Sequence, residues 1–488
     1  MPDPLRIAFV SMHTSPADLP GSGDAGGMNV VEHHQALGLA QLGHLVDLIT
    51  RRSDPGQPDL VELSDGVRLL HLPAGPPERL AKSLIDAHIE EFSAGLAALG
   101  GGYDVLHSHH WMSGVAALPV ARAWGVPHVQ SFHSVAALPG SALSEGEPPE
   151  SPARVPGERL VATESDAVIA ISAAEARTVV ERCGADPDRV VIVPPGVDRS
   201  IFHPGSPPLV ELVETHPSPT QPAGPPLVEP VETPAPLVEL VETPAAPAQP
   251  AGPPLVELVE SPAAPAQPAG PPLVELVETS AAPAQPAGPP LVELVETPPS
   301  TPSTNPHGYL LYAARLQPLK GPDLAIGALA EVPAELRPDL LIAGDVSADF
   351  AAYQADLYAL VEAHGLSGAV HFIGPQPREK LAELMRGARI VLVPSHSETF
   401  GLIALEAESC GTPVIASAAG GLREAVVHGE TGQLMDSRQP EDWGTAITRL
   451  LAKPQRLARM GVVAQIHARR FDWGWTARLL ELHYRALR

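Results

Sequence analysis

Residues 395–417 read SHSETFGLIALEAESCGTPVIAS. The apolar run just before them, Ile390-Val391-Leu392-Val393, reads as a strand that stops at a Pro394-Ser395 turn. A helix is expected to begin near Phe400-Gly401. Cys410-Gly411-Thr412-Pro413 breaks it before a second strand, Val414-Ile415-Ala416. Glu398 precedes the helix start and Glu406 lies inside the helix, eight positions on. At 1.5 Å per residue the two acids lie about 12 Å apart on a similar face. A sugar nucleotide laid across this helix N-terminus would meet both, and its diphosphate would meet free backbone N–H groups. An ordinary αβ unit with two solvated acids gives the same local pattern, so the rest of the chain has to decide.

Working outward, the same alternation of strand and helix recurs on both sides. In the first part, residues 7–10 (IAFV) form a strand, a glycine-rich loop spans 21–27, a helix 30–42, and a second strand 44–49. Residues 105–106, 127–129, 167–171 and 190–193 are further strand candidates. In the last part, 309–312, 340–343, 370–373, 390–393 and 414–416 repeat the theme. Alternation of this kind builds parallel sheets with helices on both faces, an α/β class. Two such runs imply two Rossmann-like domains, whose ligands bind at the carboxyl ends of the strands, facing a cleft. The boundaries read as 1–205 for the first domain, 206–305 for an insert and 306–470 for the second. Residues 471–488 form a helix that crosses back to the first domain.

The insert stands apart in composition. Around the unit PPLVELVETPAAPAQPAG it repeats with a period of 18, with copies starting at Pro253, Pro271 and Pro289. Proline stops helix propagation, and six apolar residues make a marginal helix in water. The segment therefore reads as disordered to extended, with a stacked repeat as the disfavoured alternative. It also biases the charge. Removing its 12 Glu from the chain's 57 acids leaves 45 against 31 Lys and Arg, so about half of the net −26 comes from this one segment. The acidic balance argues against nucleic acid as a partner. Two cysteines, Cys183 and Cys410, are too few for a disulfide framework and match no zinc spacing. The N-terminal MPDPLRIAFVSM reads as a first strand, and no apolar run reaches 18 residues. A cytoplasmic location with no transmembrane segment is the expectation.

Three further groups carry chemistry. Residues 21–29, GSGDAGGMN, place four glycines between the first strand and first helix, where backbone can approach a phosphate or sugar. The loop is too long for the dinucleotide fingerprint, and a flexible surface loop is the plain alternative. Residues 311–321, LYAARLQPLKG, put Arg315 and Lys320 five positions apart after the first strand of the second domain. A planar fork and a point charge there suit a diphosphate leaving group, whose charge grows as its bond breaks. Residues 107–111 (HSHHW) and 128–133 (HVQSFH) resemble metal clusters. No carboxylate or cysteine accompanies them, however, and the spacing fits no zinc motif, so no metal site is expected. Their place at strand ends suits substrate hydrogen bonding better.

Together, Arg315/Lys320 and the Glu398/Glu406 pair at E-x7-E spacing resemble the donor-site signature of retaining glycosyltransferases of family 4, which have the GT-B fold. The resemblance covers nearly all the chain except the insert. Within the family, PGSGDAGGMN, HSHHWMSG, ARLQPLKGP and PSHSETFGLIALEA resemble the branch that moves N-acetylglucosamine from a UDP donor to an inositol phosphate in mycothiol biosynthesis. The resemblance implies a donor set of Gly27, Arg315, Lys320, Glu398, Phe400, Gly401, Leu402 and Glu406. In it Glu398 holds sugar hydroxyls and Glu406 the ribose diol. It implies an acceptor set of His13, Asn29, Lys82, His110, Ser134 and Arg154, with Lys82, Ser134 and Arg154 on the acceptor phosphate. His133, Arg315, Lys320 and Glu398 are its catalytic candidates. His110, Leu19 and Ala314 stand where the branch has tyrosine, glutamine and glycine, and His110 leaves the acceptor open.

A nucleotide sugar and a small phosphorylated acceptor are thus the expected partners, with no required cofactor and with room for a homodimer. Relatives carry a structural magnesium on backbone carbonyls at positions matching Met385, Arg386, Ala388 and Thr412. Carbonyls leave no side-chain signature, so such an ion is possible here but is not predicted. Two alternatives stay open: a family member with another sugar or lipid-linked acceptor, and a non-catalytic sugar-nucleotide-binding protein.

Overall fold

The computed structural model describes residues 3–21, 24–137, 151–205, 305–346 and 350–488. The reading of 206–305 as disordered lies outside the described residues except for Asn305.

Eight strands form the first sheet: β1 (Arg6–Ser11), β2 (Leu45–Arg51), β3 (Leu60–Ser64), β4 (Val67–Leu72), β5 (Val105–His109), β6 (His128–Ser131), β7 (Ala167–Ala170) and β8 (Val190–Ile192). Their order is β3-β4-β2-β1-β5-β6-β7-β8. Six more form the second: β9 (Tyr309–Ala313), β10 (Asp339–Ala343), β11 (Val370–Phe372), β12 (Ile390–Val393), β13 (Val414–Ser417) and β14 (Gly432–Met435), in the order β11-β10-β9-β12-β13-β14. Every pairing is parallel except β3 with β4. The α/β class with two parallel-sheet units is therefore the observed architecture.

All the strands expected from sequence are present, and three more join them. The β3–β4 hairpin turns at Asp65-Gly66, where Gly66 has φ +77°. An Asp-Gly pair between two apolar runs is a strong hairpin signal, present in the sequence but not read there. β14 is short and half-exposed, with little apolar periodicity to announce it.

The topology creates the crevice. From β1 the chain moves outward to β2, then returns to place β5 on the other side of β1; β10 and β12 flank β9 in the same way. Strand order thus reverses beside β1 and beside β9, and loops leaving the carboxyl ends diverge there. Strands β5, β9 and β12 are buried along their whole length, as parallel strands covered on both faces must be.

The two halves are joined through side chains as well as chain. Val30, Val31 and Ile171 share one apolar cluster with Leu311, Phe400 and Leu405. Ser172 donates to the Thr399 carbonyl (2.7 Å), the Thr399 hydroxyl donates to the His133 carbonyl (2.6 Å), and the Ala173 and Ala174 N–H groups donate to the Glu424 carboxylate (3.0 Å each). The last helix, Trp473–Ala486, starts at an Asp472 cap and lies on the first sheet. Its Ala477, Leu480 and Tyr484 are buried with Leu5, Ile7, Phe9 and Leu39, and Tyr484 Oη meets His107 Nδ1 at 2.6 Å. Among the described residues, no helix is long and apolar enough to cross a membrane.

Candidate active site

The carboxyl ends of both sheets line one cleft of ≈ 340 Å³. On the second sheet, the loop after β12 carries Glu398 and turns at Gly401 into the Leu402–Ser409 helix. Gly401 has φ +108°, a left-handed conformation that favours glycine, and a Cβ there would meet the Leu422 side chain at 2.6 Å. Glu398 Oε2 lies 2.7 Å from Lys320 Nζ and accepts from Ser395 Oγ at 3.2 Å. Glu406 is only 3% exposed and pairs with Arg378 Nη2 at 3.1 Å. Burial pushes its carboxyl up, and the Arg378 guanidinium pulls part of the way back. Arg315 follows β9 and reaches across to Asp24, 3.8 Å from its carboxylate and 3.4 Å from its carbonyl oxygen. The glycine loop admits this approach: a Cβ on Gly26 would stand 3.4 Å from Arg315 Nε, and one on Gly27 3.5 Å from Leu402 Cδ1.

On the first sheet, three histidines sit just past three strand ends: His13 after β1, His110 after β5 and His133 after β6. His110 and His133 have φ of 71° and 57°, uncommon for residues with a side chain and a mark of a constrained site. His13 and His110 face each other with ring centroids 4.2 Å apart. Burial drives both far down from the usual imidazole range; Lys82 and Arg315 depress His13 further, while His13 and Lys82 depress His110. Both rings are therefore neutral near pH 7, and the positive charge of this face belongs to lysine and arginine.

Of the residues singled out in sequence, His13, Gly27, Asn29, Lys82, His110, His133, Ser134, Arg315, Lys320, Glu398, Phe400, Gly401, Leu402 and Glu406 line the cleft. Arg154 does not. It is 3% exposed and donates to Glu158 (2.8 Å) and to Ser134 Oγ (3.3 Å), so it stands behind Ser134. Asn29 is committed internally: its amide donates to Thr14 Oγ1 (2.9 Å) and Ser15 O (2.6 Å), and its oxygen accepts from Gly26 N (2.8 Å). That bracing starts the Gly27–Gln41 helix a turn earlier than periodicity indicates.

Three charged lining residues escaped the sequence reading: Arg378, Glu175 and Arg182. Arg378 opens a helix after β11 and belongs to no motif quoted above. Glu175 ends the sequence Ser172-Ala173-Ala174-Glu175, a spacing that announces a helix start rather than a cleft residue. In the fold, Ser172 does accept from the Glu175 N–H (3.0 Å), while the Glu175 carboxylate takes the Ile171 N–H (2.7 Å). Burial pushes that carboxyl up to about 7.

Tertiary structure also supplies the carboxylate missing around the histidines. Glu32, His109 and His133 bring ligand atoms within 4.8 Å of one another, the one such group among the described residues. Yet His109 Nδ1 and His133 Nε2 are 2.9 Å apart, with centroids at 5.2 Å and planes within 16°, so the two nitrogens meet head-on. Two nitrogens on one tetrahedral ion with bonds of about 2.0 Å would stand about 3.3 Å apart, with their lone pairs converging on the ion rather than facing each other. The geometry is that of a hydrogen bond. Of the backbone carbonyls named above, the Met385 oxygen accepts from Thr412 Oγ1 (2.6 Å) and the Ala388 N–H (3.2 Å).

Two Rossmann-like sheets that oppose their strand ends across paired acids and cations define a sugar-transferring enzyme of the GT-B fold. Residues 26–196 match the "Glycosyl transferase 4-like domain" and residues 296–466 match "Glycosyl transferases group 1". The D-inositol 3-phosphate glycosyltransferase of Stackebrandtia nassauensis is 35% identical over 97% of this chain and 90% of its own. That of Thermomonospora curvata is 36% identical over 98% and 95%. Among solved structures, sucrose-phosphate synthase from Thermosynechococcus elongatus superposes with TM-score 0.73 at 24% identity, covering 99% of both chains. Anabaena HepE in complex with UDP and glucose gives 0.62 at 17%, covering 99% of this chain and 100% of that one. These two likenesses concern the fold. The chain belongs to glycosyltransferase family 4.

Proposed function

We propose that this enzyme transfers N-acetylglucosamine from a UDP donor to an inositol phosphate with retention of configuration. The supporting observation is the division of charge across the cleft. Arg315, Lys320, Glu398 and Glu406 converge from the second sheet, while Lys82 and Ser134, backed by Arg154, stand on the first. The curated relatives quoted above act, by name, on D-inositol 3-phosphate.

In this reading Arg315 and Lys320 grip the diphosphate, Glu406 takes the ribose diol and Glu398 the sugar hydroxyls. The anomeric carbon–oxygen bond to the diphosphate breaks as the acceptor hydroxyl adds from the same face. The acceptor proton passes to the departing phosphate oxygen. Fixed cations that meet growing charge in a water-poor cleft, together with orientation of both substrates, supply the acceleration. Lys82 and Ser134 hold the acceptor phosphate, and neutral His13 and His110 offer hydrogen bonds without adding charge. The test is mass spectrometry after incubation with UDP-N-acetylglucosamine and inositol 3-phosphate. A product with another acceptor and none with this one would sink the acceptor assignment and leave the enzyme class intact.

A further inference from the structure

The segment that carries Glu398 lies between β12 and the Leu402–Ser409 helix, so neither a ladder nor a helix fixes its backbone. Its polar groups are satisfied from two directions. From its own half of the molecule, the Gly421 N–H donates to the Glu398 carbonyl (2.8 Å). That close approach needs glycine: a Cβ on Gly420 would run into the Glu398 oxygen, and one on Gly421 into the Thr399 oxygen. From the other half, Ser172 Oγ donates to the Thr399 carbonyl (2.7 Å). In return, Thr399 Oγ1 donates to the His133 carbonyl (2.6 Å).

This last bond has a particular place in the cleft. Thr399 follows Glu398, which holds the sugar in the proposed reaction. His133 precedes Ser134, which holds the acceptor phosphate in that reaction. One short bond therefore joins the neighbours of a donor-holding and an acceptor-holding residue. His133 has φ +57°, a conformation that persists only where the surroundings enforce it. A second tie runs beside the first. The loop that supports Glu398 continues into the Leu422–Ala425 helix. The Glu424 carboxylate on that helix accepts the Ala173 and Ala174 N–H groups (3.0 Å each), next to Ser172. Glu424 is exposed, so this tie is the weaker of the two.

Transfer between two bound substrates tolerates little error, and a misplacement of about 1 Å can cost about 10²-fold in rate. We infer that Thr399 is a positioning residue that sets the acceptor phosphate site against the donor sugar site, with Glu424 as a second brace. The inference rests on the cleft being the sugar-transfer site. Thr399→Val keeps the shape of the side chain and removes the hydroxyl. It should lower kcat about tenfold, with both KM values and the Kd for UDP within about twofold of wild type. Thr399→Ser keeps the hydroxyl and should keep most of kcat. Glu424→Ala, a change at the surface, should act in the same direction with a smaller loss. Hydrogen exchange of the full chain reads the tie without any substrate. Residues 131–136 should exchange faster in Thr399→Val than in wild type or Thr399→Ser. Wild-type kcat or wild-type exchange in Thr399→Val would overturn the inference, as would an equal loss of kcat in Thr399→Ser. Loss of UDP binding in Thr399→Val would also overturn it, because the damage would then lie in the donor site alone. Faster exchange in a protein that transfers no sugar would count against the proposed reaction and leave the tie between the two loops standing.

Discussion

Lys320 Nζ and Glu398 Oε2 form a 2.7 Å ion pair inside the cleft, with side-chain exposures of 16% and 21%. In the proposed reaction this pair joins the cation that meets the departing diphosphate to the acid that holds the sugar, and each orients the other. Lys320→Ala should lower kcat by about 10²–10³-fold, the range for removal of one charge-stabilising donor. Glu398→Gln should cost less. The double variant should fall well short of the product of the two losses, because each single change already breaks the shared contact. Steady-state kinetics on the four proteins decides the point, and multiplicative losses would show that the pair is incidental.

Arg378 is the partner of the buried Glu406. Its removal leaves a carboxyl without a counter-charge, so Arg378→Ala should destabilise the fold by about 3–5 kcal/mol. The Glu406 carboxyl should also move further up, since the guanidinium is what pulls it down. Arg378→Met with Glu406→Gln should recover part of the loss. Urea titrations of the wild type and these two variants provide the comparison.

Glu175 gives stability a pH dependence of known sign. Its folded carboxyl is raised from 4.5 to about 7. The native state therefore keeps a proton that the unfolded chain releases. The contribution is full below pH 4.5 and is lost as pH rises through about 7, a swing of up to about 3 kcal/mol. His133 and His128, both pushed down to about 3 by burial, work in the opposite sense at low pH. The clean observable is the difference between wild type and Glu175→Gln. Relative to wild type, the variant should gain stability from pH 5 to pH 8.

Tyr484 anchors the last helix to the first sheet through its 2.6 Å contact with His107. Tyr484→Phe preserves the packing and strips the buried His107 Nδ1 of that contact. A loss of about 1–3 kcal/mol is expected from chemical denaturation, with little change in KM.

Replacing residues 206–304 with a short flexible linker should preserve transfer activity. The approach to this segment is already fixed, since Arg386 Nη1 donates to the carbonyls of Ile201 (3.2 Å) and His203 (3.3 Å). Contacts between the halves, such as Ser172 with Thr399, arise elsewhere in the chain. Longer closing segments cost only slowly more with length. Loss of soluble, active protein on replacement would show that the segment is structural.

Much of this molecule was legible in its sequence, because its determinants are local. Apolar runs of four or five residues between turn signals marked the buried parallel strands, and the spacing of Glu398 from Glu406 and of Arg315 from Lys320 marked the second sheet's share of the cleft. Tertiary structure alone decided which charges meet. Arg378 carries no motif, yet the fold sets it against Glu406. Arg154 has the right charge, but the fold pairs it with Glu158 and sets it behind Ser134. Glu32 lies more than 70 residues from the nearest histidine of its cluster, and no local pattern announces that contact. The physical reason is that periodicity and turn chemistry act over a few residues, whereas ion pairs and ring contacts form between strand ends that only the order of the sheet brings together.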